Sequence, residues 1–162
     1  MVKDILKLGD PALYETCAAV LPEEWPQLPL WEQDLLDTLL WYRATYGAGR
    51  AIAAPQIGIP RRIVLLCIDT PILLVNPSLS FPDDKMMEVL DDCMSFPGLC
   101  VTVLRHRRVL LHYTDRTGQP QQMALEGDLA ELIQHEYDHL DGILATMRAK
   151  DNRSFYLMQM KR

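Results

Sequence analysis

No stretch of the chain is long and apolar enough to cross a bilayer. Spanning takes about 20 apolar residues, and the longest uninterrupted runs, Ile63–Ile68 and Ile72–Val75, are strand-sized. A secretory leader is not expected, because Lys3, Asp4, Lys7 and Asp10 break up Met1–Leu13. Basic residues are not in excess. The 16 Lys and Arg face 22 Asp and Glu, and the net charge of −6 argues against a general binder of nucleic acid or anionic membranes. Four cysteines (Cys17, Cys67, Cys93, Cys100) are too few to frame 162 residues with disulfides, so a reducing, cytoplasmic setting is expected. Internal repeats, linkers and low-complexity tracts are also missing.

What is present is the balance of an ordinary globular protein, 49% hydrophobic and 23% charged. At this length one domain spanning residues 1–162, with a substantial core, is expected. Prolines 11, 22, 26 and 29 punctuate the first segment, which reads as an arm laid over that core. Pro29 opens a predicted helix carrying Leu35, Leu36, Leu39, Leu40 and Tyr42, anchored by Trp31 and Trp41 and closed by Gly47 and Gly49. Strands are predicted at Arg62–Ile68, Ile72–Val75 (ended by Asn76-Pro77), Val101–Arg105, Arg108–Thr114 and Gln121–Leu125. A turn is expected at Pro82–Lys85. A last helix runs from about Gly127 to Leu140, closed by Gly142, and a short, mildly basic tail follows with Arg148, Lys150, Arg153, Lys161 and Arg162. Strands around one central helix imply an α+β fold with antiparallel or mixed sheets.

That helix carries His135-Glu136-Tyr137-Asp138-His139. Residues four apart share a helix face, so two imidazoles can take two positions on one metal with Glu136 beside them as a general base. A catalytic metal wants a third protein ligand and one open position. Cys93, in Asp91-Asp92-Cys93-Met94-Ser95-Phe96-Pro97-Gly98, is the best candidate, although a lone cysteine is more often a packed thiol. The small residues of Gly49–Gly58 let a ligand approach the backbone. His106 and His112 have no ligand spacing to the helix and read as surface or structural residues, and Cys17, Cys67 and Cys100 read as packing residues.

Three separated segments together resemble the signature motifs of the peptide deformylase family. Gly49-Arg50-Ala51-Ile52-Ala53-Ala54-Pro55-Gln56 is similar to G-x-G-hydrophobic-A-A-P-Q, with Ala51 in place of the second glycine. The segment from Asp91 to Gly98 is similar to E-G-C-L-S-x-P-G, keeping the cysteine and serine but not the Glu-Gly pair. His135–Gly142 matches H-E-x-D-H-L-x-G throughout. The resemblance implies a metal-dependent hydrolase that removes formyl groups, as formate, from N-formyl amines such as N-formylmethionyl peptides or a more polar N-formyl compound. It implies that Cys93, His135 and His139 hold one divalent metal, Fe²⁺ or Zn²⁺, with Ni²⁺ or Co²⁺ able to substitute. The metal would lower the pKa of its water, and Glu136 would act as the general base. The Gln56 amide and the Met94 backbone N–H would steady the oxyanion. Asp138 and Arg105 are candidate partners for the histidines' other nitrogens. Gly49, Arg50, Ala51, Asp91, Asp92, Asp128, Glu131 and Leu132 would surround the substrate.

The family encloses a methionine side chain with apolar residues, and here the pattern departs. At ~100° per residue, Asp128, Leu132, His135 and His139 fall within about 60° of one another, with Glu131 just beside them, opposite a core stripe of Leu129, Ile133, Tyr137 and Leu140. Arg50, Asp92, Asp128 and Glu131 thus bring charge to the expected pocket. Either their heads reach solvent at its rim or the substrate is polar or cationic. Alternatives are a catalytically weak homologue that binds formylated peptides or small molecules, an H-E-x-x-H endopeptidase, and a structural zinc site. The last would want a fourth protein ligand.

Overall fold

The computed structural model describes residues 1–158; Lys161 and Arg162 of the basic tail lie outside the described residues. Two short 3₁₀ turns, Pro11–Tyr14 and Pro22–Gln27, follow the proline punctuation of the N-terminal arm. Helix α1 (Leu28–Tyr46) carries Pro29 in its first turn and stops at Gly47, which takes φ 74°. Three strands follow: β1 (Ala51–Ala53), β2 (Ile63–Cys67) and β3 (Pro71–Ser80). Next are β4 (Met86–Asp91), β5 (Leu99–His106), β6 (Arg108–Thr114) and β7 (Pro120–Glu126). Helix α2 (Asp128–Leu140) and β8 (Phe155–Leu157) complete the order.

The strands form a five-stranded sheet, β1-β2-β3-β6-β7, and a three-stranded sheet, β4-β5-β8. Every ladder among the described residues is antiparallel. Strand β2 is buried along its whole length because both faces of its sheet are covered. Ile63, Leu65 and Cys67 join Leu35, Leu39 and Tyr42 of α1 on one face. Val64 turns the other way, with Leu74, Val109 and Leu111, towards Ala130, Ile133 and Leu140 of α2. The second sheet covers a third cluster, in which Val101 and Val103 meet Leu13, Cys93, Phe96 and Leu144. Helix α2 is therefore wedged between the sheets, which gives its polar residues a dry setting.

Four expectations need correction. Asn76-Pro77 bends the third strand without ending it. Asn76 takes φ 50°, the register with β6 shifts between Val75 and Ser78, and β3 runs on to Ser80. The Asn76 amide is tied at both ends to Val20, accepting from its N–H at 2.8 Å and donating to its carbonyl at 3.1 Å. Strand β4 was not anticipated. It points Met86 and Leu90 outwards and buries Asp91, which inverts the usual apolar-in signal. Trp41 is exposed, whereas Trp31 packs against the core. Leu129 is likewise exposed, and Ala130 takes its place inside. The wheel orders residues around a helix, but the packed neighbours decide which angles are covered.

Gly142, just past α2, takes φ 71°, and a Cβ there would lie 2.4 Å from the carbonyl oxygen of Tyr14. Gly142→Ala is expected to destabilise by about 1–3 kcal/mol, read as a lower urea midpoint at unchanged m. An unchanged midpoint would mean that the N-terminal arm can yield. Among the described residues, no helix is long and apolar enough to cross a membrane.

Candidate metal centre

Helix α2 delivers His135 and His139 from successive turns, with ring centroids 5.1 Å apart and planes at 71°. The segment after β4 delivers Cys93, whose Sγ lies 3.3 Å from His139 Nε2. One potential ligand atom from each of the three falls within 4.8 Å of the others, and all three residues are buried. Gln56 comes from the 3₁₀ turn Ala54–Ile57 behind β1. Its Oε1 accepts from the Ala53 N–H at 3.0 Å, which fixes the amide. Its Nε2 then donates towards Cys93 Sγ at 3.5 Å and Ser95 Oγ at 3.1 Å. Glu136 is 4% exposed, and its Oε2 is buried without a protein partner.

The electrostatics follow from burial beside charges. Burial disfavours a charged His135, but Asp91 and the Cys93 sulfur outweigh it and push the ring's pKa well above its ordinary value. Burial and the neighbouring His135 hold His139 well below its own. Burial pushes the Glu136 carboxyl up to about 7. Asp91 Oδ1 lies 2.9 Å from His135 Nδ1, and its Oδ2 accepts from Arg105 Nη2 at 2.9 Å. A carboxylate at Nδ1 holds a proton there and leaves the opposite ring nitrogen to face Cys93.

Sulfur and imidazole donors of this kind suit Zn²⁺ or Fe²⁺. Three buried donors beside an unpartnered Glu136 oxygen fit a catalytic metal better than a structural one. A cavity of about 470 Å³ opens beside them, lined by residues that include Gly49, Arg50, Ala51, Gln56, Asp92, Met94, Glu131, Leu132 and Glu136.

Several relatives share this frame. The sequence profile of the family described as polypeptide deformylase matches residues 2–155. Peptide deformylase 1 of Nitrosomonas europaea is 35% identical over 166 aligned positions, covering 96% of this chain and 92% of that protein. The chain belongs to the peptide deformylase family. Solved members have the same fold. A peptide deformylase from Synechococcus elongatus in complex with actinonin superposes with a TM-score of 0.84 at 30% identity, covering 93% of this chain and 80% of that one. Peptide deformylase from Thermotoga maritima gives 0.84 at 28%, covering 93% and 99%. Membership makes the protein a metallohydrolase of the class that removes formyl groups.

Within the deformylase frame, some residues stand elsewhere than expected. Asp128, expected around the substrate, lies outside the cavity wall. Its side chain is 76% exposed and pairs with Arg50. Asp138, expected to support a histidine, instead accepts from Arg105 at 2.6 Å and from Arg148 at 2.6 and 3.0 Å. The carboxylate at His135 belongs to Asp91. Asp91 reaches the cavity wall, but its two oxygens are engaged by His135 and Arg105. Its place two residues ahead of Cys93 was the available signal. Tyr42, Tyr46, Ala48 and Met158 also line the cavity and were missed, since their sequence context marks only packing or tail.

Asp91→Ala is expected to weaken zinc affinity about 10- to 100-fold, measured by competition against a chromogenic chelator. Wild-type affinity in a variant with an unchanged circular dichroism spectrum would remove Asp91 from this role.

Proposed function

We propose that the protein hydrolyses the formyl amide of N-formyl peptides in the cytoplasm, as one catalytic domain. The observation that carries this reading is the buried, unpartnered Glu136 oxygen beside Cys93, His135, His139 and the pinned Gln56 amide. Cys93, His135 and His139 would hold one divalent ion, Fe²⁺ or Zn²⁺. Such an ion, when bound, makes water more acidic and polarises a carbonyl oxygen.

The remaining chemistry belongs to the chain. Glu136 takes a proton from the attacking water as its oxygen bonds to the formyl carbon. The Met94 backbone N–H, and Gln56 Nε2 as it turns one hydrogen away from Cys93 Sγ, donate to the carbonyl oxygen as it gains charge. Glu136 returns the proton to the amine nitrogen as the C–N bond breaks, giving the amine and formic acid, which ionises to formate. Gly49 and Ala51, being small, let the peptide lie close to the backbone at the cavity's edge. A related Acinetobacter baumannii peptide deformylase, 26% identical, has been solved with Met-Ala-Ser bound.

The test is formate release from N-formyl tripeptides by anaerobically reconstituted protein, before and after chelation. Metal-dependent formate, lost on chelation and restored by Fe²⁺ or Zn²⁺, is the expected result. Binding without formate would mean that the protein is a non-catalytic member of the family.

A further inference from the structure

The cavity holds a carboxylate for which this chemistry has no use. Glu136 moves the proton, and Asp91 is held by His135 and Arg105. Glu131 lies one helical turn before His135, on the same wall, and is 9% exposed. Arg50 Nη2 stands 3.8 Å away, beyond hydrogen-bonding distance, and Asp91 and His135 adjoin it on the inner side. That guanidinium bonds instead to Asp128 outside. Asp92 adds a second carboxylate at the exposed end of the wall. Tyr42 and Tyr46, whose ring centroids are 4.6 Å apart, supply aromatic surface in the same lining. Arg50, already paired with Asp128, is the one lysine or arginine among the described lining residues, against several carboxylates.

A substrate entering this cavity would strip Glu131 of its remaining water. Against a thioether or an alkyl chain, that leaves a buried carboxyl with only another acid, Asp91, to bond, which is costly. Against an ammonium or another donor, the same burial produces a charge-assisted hydrogen bond. Residues four apart on a helix have Cβ atoms about 5–6 Å apart, so Glu131 sits within a lysine side chain's reach of a formyl amine held near His135.

We infer that Glu131 selects the side chain next to the formyl amine, and that the protein acts on N-formyl peptides or amines carrying a cationic, hydrogen-bond-donating group at that position. This rests on the deformylase reading and narrows it.

The test compares kcat/KM for three formylated tripeptides ending in Ala-Ser, with lysine, norleucine or methionine first. Norleucine is lysine without its ammonium. Wild type should favour formyl-Lys over formyl-norleucine at least about tenfold, Glu131→Gln should erase that ratio, and Glu131→Leu should invert it. A fold defect would lower all three values together and leave the ratio alone. Preference for norleucine or methionine in wild type, or an unchanged ratio in Glu131→Gln, overturns the inference and leaves deformylation standing. If no substrate yields formate, calorimetry of the unformylated lysine and norleucine peptides on zinc-loaded protein still decides it. A lysine preference abolished in Glu131→Gln would sustain the pocket assignment while the deformylase reading falls, and no preference would overturn both.

Discussion

Glu136→Gln is expected to lower kcat for formate release by about 10²–10⁴-fold, with the metal still bound one to one. Glutamine keeps the shape and one acceptor but cannot take a proton from water. Glu136 is suited to the transfer because it is buried and one of its oxygens bonds to nothing in the protein. Burial raises its proton affinity towards neutrality, where a base can both accept a proton and give it back. KM should change little, since the carboxylate acts on water and not on the peptide. Metal analysis separates this from a lost ligand. A variant with full metal and more than about a tenth of the wild-type kcat would show that another group carries the proton, because that loss falls short of the general-base range.

Arg105→Met should be the most destabilising of the single substitutions considered, at about 3–5 kcal/mol. Arg105 is 3% exposed and joins Asp91 at 2.9 Å to Asp138 at 2.6 Å. Methionine fills much of the space but leaves two buried carboxylates each short of a partner. In a protein of this size the cost corresponds to a fall in Tm of about 6–20 °C. The pH dependence has a definite sign. Burial alone would raise the Asp91 pKa, but His135 and Arg105 together hold it below its ordinary value. A depressed carboxyl stabilises the fold above its unfolded pKa and loses that contribution as pH falls through the folded one. The gap between wild type and variant should therefore narrow below about pH 4. Equal Tm values at pH 7 would mean that the two carboxylates are satisfied without Arg105. Zinc affinity should fall as well, because Asp91 would lose the group that holds it against His135.

Much of the architecture was readable from pattern. Strand β6 and the end of α2 follow local signals, a period-two apolar run and a glycine past the last helical turn. Strand β4 did not, because its outward positions include Met86 and Leu90 while its buried end carries Asp91. A buried carboxylate pointing inwards makes sense only once His135 and Arg105 are beside it. In sequence the kink at Asn76 looks like an end for a related reason, since what keeps β3 going is β6, which pairs Ser78 with His112 and Ser80 with Leu110.

The centre shows the same division. Helical spacing alone put His135, Glu136 and His139 together, because covalent geometry repeats every turn. The resemblance to the deformylases added Cys93 and Gln56, which arrive from separate segments. Spacing could not say which carboxylate would face a histidine, and Asp138, on the same helix, was the nearer choice in sequence. The structure turns Asp138 towards Arg105 and Arg148 and gives His135 to Asp91. Nor could the wheel separate Asp128 from Glu131, neighbours on one helical face. Residue type and helical period were enough by themselves to bring two imidazoles and a carboxylate together on one helix. Which carboxylates are buried, paired or left facing the cavity was decided only by tertiary packing. A charge's partner and its access to water depend on elements brought together from distant parts of the chain.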